Sequence, residues 1–357
     1  TSTNTKSNTS DIHGQYGSFL EISDIVEFDI NAVGINRTIE AAFLDPRQRI
    51  LIADVSALWI STNMARKDTA LHRHDRQMAK SRPTKFYSHL PGDDLAIFIG
   101  ISGKDYASFL EDQGVEVGAF TGTGNETSTA CGRLAFLFNA TGAAVTIDTA
   151  CSSSLVAVNM ALRQTYTDHS CEGYDAIAAG VSLILTPRMH LTLGRARMLA
   201  PDGRCKTLDV DANGYGRAEA SRALLLQNIG SHDLNRGENY IPMESLLITG
   251  SAVNQDGRSS SLTAPNGSAQ SVVIRAAMLE ELEARYGGEL LNNENERRVS
   301  VDVLQMHGTG TPLGDPIEAS AANNVFPKDR VLLLSAVKSW VGHAEPAAGA
   351  LGLTTLA

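Results

Sequence analysis

The chain has 357 residues, 43% of them hydrophobic and 20% charged, which is enough apolar material for a large core. Lys and Arg number 30 against 40 Asp and Glu, a net charge of −10 with no long basic run; this excludes nucleic acid or an anionic membrane as the main partner. No apolar stretch approaches the length that spans a bilayer and none at the start reads as a signal peptide, so a soluble, cytoplasmic protein is expected.

The opening "TSTNTKSNTS" is wholly polar and, with the residues up to 24, predicts a disordered leader. Residues 62–94 are polar and basic and read as a helix tail plus exposed loop; His72 and His74 within them read as solvated surface rather than a metal pair. "LAIFIGISG" (95–103) and "AVTIDTA" (144–150) are short apolar runs ending in small or turn residues, the pattern of buried strands. "CSSSLVAVNMALRQTYTDH" then reads as an apolar-faced helix, and "YDAIAAGVSLILT" (174–186) as a further buried strand. "RALLLQNI" and "SLLITGSAVNQ" (245–255) extend a β-rich middle, and "SAQSVVIRAAMLEELEARYG" (268–287) has helical spacing with charges on its polar side. "VDVLQMHG" and "RVLLLSAVKS" are again strand-like. Strands alternating with helices predict an α/β fold, with its site beyond the C-terminal strand ends.

The four cysteines, Cys131, Cys151, Cys171 and Cys205, include no CxxC pair, so neither a disulfide framework nor a metal site is expected. Cys151 stands apart because it lies where a strand-like run meets a helix start. A helix N-terminus favours a thiolate, and its unpaired N–H groups can hold an oxyanion. On that stretch alone two readings stand, a nucleophile or a packing cysteine beside capping serines. Two later stretches favour the first. "HGTGTPLGDPIE" (307–318) and "KSWVGHAEPAAGALGL" (338–353) each place a histidine after a strand in glycine-rich surroundings, where the backbone turns sharply and a substrate can approach.

With these residues in view the chain resembles the β-ketoacyl synthase family of the thiolase-like superfamily, in the form found in type I modular polyketide and fatty acid synthases. "DTACSSSL" is similar to the nucleophile motif, and "HGTGTPLGDPIE" and "KSWVGHAEPAAG" to the two histidine motifs. "FDINAVGI", "LDPRQRILIADVSALW", "FIGISGKDY", "TGTGNETS", "APDGRCKTLD" and "SAVNQDGRSSSLTAPNGSAQ" match further segments in the family's order. The resemblance implies a five-layered α-β-α-β-α fold of two similar halves, the nucleophile half over 25–260 and the histidine half over 261–357. It implies that Cys151 takes an acyl chain from the phosphopantetheine of an acyl carrier protein. His307 and His343 would then stabilise the enolate formed from a malonyl-type extender, with Lys338 paired to Glu318 in support. Thr309 and Thr311 would bind the pantetheine arm. No cofactor is expected on the domain itself; the partners implied are acyl carrier protein, a second copy in a homodimer, and other synthase domains.

Some segments depart from the family's pattern. No apolar strand with a glycine-rich turn precedes "FDINAVGI", and no Phe-Gly-rich loop follows "GALGLTTLA", so an incomplete domain is expected. "YGRAEA" has alanines where glycines are usual. "DVDANGYGRAEA" begins like a calcium loop but ends on Ala220 where the pattern needs Glu, and calcium is rejected. Two rival functions are a non-catalytic docking or dimerisation protein and a cysteine hydrolase; no hydrolase-like motif surrounds Cys151.

Overall fold

The structure, a computed structural model, describes residues 17–21, 23, 25, 38–71, 95–166, 175–227, 246–286, 301–326, 328 and 330–356. Most of the predicted leader, the His72 and His74 stretch, and Cys171 therefore lie outside the described residues. Eight strands occur among them: β1 (Gly17–Ser18), β2 (Leu95–Gly100), β3 (Ala144–Ile147), β4 (Asp175–Ser182), β5 (Arg217–Ala218), β6 (Ala220–Leu226), β7 (Val303–Gln305) and β8 (Leu333–Ser335). No helix among the described residues is long and apolar enough to cross a membrane.

The chain divides into two compact units that interleave along the sequence. One comprises Phe19–Leu185, Glu219–Leu247 and Ala344–Ala357. Its centre is a four-stranded sheet in the order β3-β2-β4-β6, parallel except where β4 meets β6. Both central strands are apolar without alternation because helices cover both faces. Along β2, Leu95, Ile97 and Ile99 point to one face and join Leu51, Val55, Leu134 and Phe138 in the main core. Gly100 at the end of β2 and Gly180 on β4 lie where the helix Ser153–Tyr166 crosses. A Cβ on Gly100 would meet the Ser154 backbone nitrogen at 2.6 Å, and one on Gly180 would meet the Ser154 Cβ at 2.6 Å. Behind Ser154, its hydroxyl accepts the Ala350 N–H at 3.0 Å, fastening the helix Ala348–Thr354.

The helix Pro46–Leu71, which lies on β4 and β6, is started by its sequence. Asp45 precedes Pro46, a residue suited to the first helical position, and accepts the Arg47 N–H at 2.8 Å. The Arg47 guanidinium returns to the same carboxylate at 2.6 Å, and both side chains are buried. The helix Ser128–Phe138 ends on Asn139 in the left-handed conformation (φ 51°), which Asn tolerates better than most residues.

The other unit comprises Thr1–Ser18, Thr186–Ala218 and Ile248–His343. Here β7 and β8 pair in parallel, β1 pairs in parallel with β5, and the helices Gly267–Tyr286 and Gly314–Val325 pack on each other. β1 falls inside the predicted leader, in a stretch that carries no strand signal. The expected strand over 245–255 is corrected: residues 246–255 form no strand. Leu246, Leu247 and Val253 are exposed, and an apolar run with no neighbouring strand to pair has no ladder to join.

Candidate active site

Two adjacent parallel strands discharge their chains at the same edge of a sheet, and β7 and β8 do this here. His307 follows β7 after one residue. β8 leads into the short helix Lys338–Val341, then Gly342 (φ 82°) and His343. A left-handed residue at 342 turns the chain so that His343 lies along β5. Its N–H donates to the Gly216 carbonyl at 2.7 Å, and its carbonyl accepts the Ala218 N–H at 2.9 Å. The two imidazoles meet edge to face, with ring centroids 5.4 Å apart and planes at 88°. The Tyr215 ring lies edge-on against His343 at 5.1 Å.

Electrostatics keep this pair neutral. His343 is buried, and desolvation holds its pKa well below the usual histidine range, helped by His307, Lys338 and Arg217. His307 keeps an exposed face, yet the protein packed around the ring lowers its pKa to about 4, desolvation first and the charge of Lys338 second. Neutral imidazoles carry one N–H donor each. The unfolded chain takes up protons on these histidines near pH 6.5 while the folded chain resists until about 4 for His307, so stability falls as pH drops through that window. We therefore expect Tm to decline between pH 7 and pH 5 in differential scanning calorimetry. The decline should be shallower in His343→Gln; equal slopes would contradict the neutral buried imidazole.

Glu318, on the helix Gly314–Val325, reaches back to the start of this loop. Its carboxylate accepts the N–H of His307 and, at 2.9 Å, that of Gly308. Burial raises its pKa, opposed by those two hydrogen bonds and by the charge of Lys338, itself buried. Glu318 thus fixes the backbone that carries His307 as well as facing the lysine's charge. Thr309 is buried and its hydroxyl stands 3.4 Å from that of Thr311, which also accepts the Gly314 N–H at 3.2 Å.

Asp315 is a residue of this site that sequence reasoning misses. Its buried carboxylate accepts the Gly310 N–H at 3.1 Å and the Leu208 N–H at 2.9 Å, where Leu208 is held at φ 58°. It ties the threonine loop to the segment around 208, and Thr207 adds a second tie by donating to the Gly308 carbonyl at 2.7 Å. The available signal is an acid immediately before Pro316 at a helix start, a position where a carboxylate commonly accepts backbone N–H groups.

In the other unit, β3 ends at Ile147 and the chain turns through Asp148, Thr149 and Ala150 before the helix Ser153–Tyr166. Ala150 has φ 54°, a strained value for a residue with a Cβ. Cys151 follows it in a single 3₁₀ turn and is half-buried. Ser153 steadies the turn, accepting the Thr149 N–H at 2.9 Å and donating to the Ala150 carbonyl at 2.7 Å. Cys131 and Cys205 are buried in apolar surroundings. The six expected site residues His307, His343, Lys338, Glu318, Thr309 and Thr311 are thus gathered in one unit, and Cys151 occupies the strained turn of the other.

Comparison with known proteins gives a consistent pattern. Residues 2–230 match the family described as Beta-ketoacyl synthase, N-terminal domain, and residues 246–357 match Beta-ketoacyl synthase, C-terminal domain. Polyketide synthase GfsA of Streptomyces halstedii is 37% identical over 341 residues, which is 94% of this chain and 4% of that protein. The spectinabilin polyketide synthase system protein NorC of Streptomyces orinoci is 37% identical over 341 residues, 94% of this chain and 13% of the relative. Among solved structures, an oxazolomycin ketosynthase domain of Streptomyces albus superposes with a TM-score of 0.71 at 26% identity, covering 95% of this chain and 51% of that one. The ketosynthase from module 6 of the bacillaene synthase of Bacillus subtilis gives 0.69 at 28%, again with 95% and 51% coverage. The fold is therefore the thiolase-like α/β fold. The chain spans about half the length of these solved chains and a small fraction of the curated relatives.

Proposed function

The chain belongs to the β-ketoacyl synthase family, and on that premise we propose that it is an elongating ketosynthase of polyketide assembly, an acyltransferase that makes a carbon–carbon bond by decarboxylative Claisen condensation. The observation that carries this reading is the pair of neutral imidazoles, His307 and His343, held edge to face beside a buried lysine. Neutral N–H donors in a desolvated setting suit an oxyanion that develops during reaction, and they do not quench it by giving up a proton.

The steps assign each residue a task. The Cys151 thiolate attacks the carbonyl of an acyl thioester carried on acyl carrier protein; the C–S bond to the carrier breaks, and the departing thiolate takes a proton. A malonyl-type thioester then loses CO2, and the bonding pair becomes an enolate whose oxygen accepts hydrogen bonds from the two imidazoles. The enolate carbon attacks the acyl-Cys151 carbonyl, the C–S bond to Cys151 breaks, and the β-ketoacyl product leaves on the carrier. Thr309 and Thr311 hold the pantetheine arm through their hydroxyls. Lys338 supplies positive charge that opposes protonation of both rings, and Glu318 fixes the His307 backbone. The partners are acyl carrier protein and, as in the expected homodimer, a second copy of the chain.

The test supplies the chain with an acyl thioester and a malonyl thioester of a pantetheine analogue and follows labelled CO2 and product mass together. We expect CO2 release coupled one to one to a β-ketoacyl product. A chain that acquires the acyl group but releases neither CO2 nor product would overturn the elongating assignment.

A further inference from the structure

We propose that Asp148, steadied by Ser102, is the positioning residue that holds the nucleophile turn in its strained form and so aims the Cys151 backbone N–H. The proposal rests on the reading of Cys151 as the acyl acceptor. It begins at Ala150, whose positive φ is unfavourable and persists only if its surroundings impose it. The Ala150 N–H donates to Asp148 Oδ1 at 3.1 Å, closing a tight local ring. That same oxygen accepts the Ser102 hydroxyl at 2.7 Å. Asp148 is exposed, so its carboxylate has water as an alternative partner, and a fixed hydroxyl from a neighbouring segment is what selects one orientation.

Ser102 is fixed in its turn. The N–H of Ile101 donates to the Ile147 carbonyl at 3.1 Å, so the two strand ends leave the sheet side by side. Beyond it, the Arg47 guanidinium donates to the Ser102 carbonyl and, at 3.0 Å, to that of Gly103. Arg47 is itself locked to Asp45 in the buried pair at the start of its helix. A continuous path of hydrogen bonds therefore runs from a buried ion pair, through Ser102 and Asp148, to the residue before the nucleophile.

The consequence follows from backbone geometry. The N–H of Cys151 belongs to the peptide plane that follows Ala150. If φ at Ala150 relaxes to a negative value, that plane rotates and the N–H no longer points where the acyl oxygen develops charge. The thiol would survive such a change, but stabilisation of the tetrahedral oxyanion would not.

The experiment compares two reactions of Cys151 in the same protein. Acyl loading from a thioester needs an oxyanion donor, whereas alkylation by iodoacetamide needs only the thiolate. In Asp148→Ala we expect loading to slow by about 30-fold, a part of the loss typical of a missing oxyanion donor, while alkylation changes less than about threefold. Asp148→Asn keeps an acceptor oxygen and should load within about threefold of wild type. Ala150→Gly placed in the Asp148→Ala background should recover part of the rate, because glycine adopts positive φ without strain. If Asp148→Ala yields no folded protein, Ser102→Ala carries the same comparison, with loading slowed about fivefold and alkylation unchanged. Equal losses in both reactions, or loading at the wild-type rate in Asp148→Ala and Ser102→Ala, would overturn the proposal. Absence of loading in the wild type itself would instead remove the reading on which it rests.

Discussion

Cys151→Ala gains no acyl mass after incubation with an acyl thioester of a pantetheine analogue, and His307→Ala gains it at nearly the wild-type rate yet forms product about 10²–10³-fold more slowly: this is the expected pair of results from intact-protein mass spectrometry. The two variants separate because the two half-reactions ask for different groups. Loading needs a sulfur nucleophile, and an alanine methyl has none, so the loss is complete rather than partial. Decarboxylation needs donors for the enolate oxygen. Removing one of two such donors in a desolvated site typically lowers the rate by about 10²–10³-fold. His307 is the more informative of the pair because its side chain is exposed on one face, whereas His343 is also stitched by its backbone to Gly216 and Ala218. Truncating His307 leaves the β7 and β8 pairing intact. The assignment of roles fails if Cys151→Ala still loads, or if His307→Ala condenses at the wild-type rate.

The second large effect is structural. Gly216→Ala should abolish stable folding. A Cβ there would run into the carbonyl of Gly203, which is backbone and cannot swing aside. The segment leading into β5 has little freedom, because the Gly216 carbonyl accepts the His343 N–H at 2.7 Å and the Cys205 thiol at 3.7 Å. Relieving the clash pulls the backbone of His343 out of register, and overpacking of this kind costs roughly 3 kcal/mol or more. Gly132→Ala is the matched control. It lies in the helix Ser128–Phe138 with nothing within 4 Å of an added Cβ, so alanine there should stabilise by up to about 1 kcal/mol. Urea titration of the two variants reads both signs, and a Gly216→Ala protein as stable as wild type would contradict the packing described.

Several elements can be read directly from residue patterns, and others cannot. β2 announces itself because Leu95 through Ile99 are apolar on both faces, and the helix Gly267–Tyr286 because its charges return with helical spacing. The strand-to-helix turn at Cys151 is legible for the same local reason, a β-branched run broken by small residues, although that stretch alone leaves the cysteine's role open. The segment 245–255 misleads because apolar content cannot reveal whether a partner strand exists, and Leu247 is left 62% exposed. The helix Gly314–Val325 is hidden inside a motif rich in glycine and proline, where helix propensity is poor and tertiary packing decides. Of the site, the two histidines and Lys338 are legible through their motifs. Asp315, Ser102 and Asp148 are not, since Asp315 and Asp148 work by accepting backbone N–H groups and Ser102 by donating to a carboxylate 46 residues away in sequence.

The bond between Ser154 and Ala350 joins positions 196 residues apart. A ribosome delivers residues in order, at about 5–20 per second, so a newborn chain holds the helix Ser153–Tyr166 for roughly 10–40 seconds before the segment that braces it from behind can exist. The turn that carries Cys151 is thus synthesised well before the segment that braces its helix, which makes translation speed between codons 154 and 350 a determinant of how much chain reaches the native state.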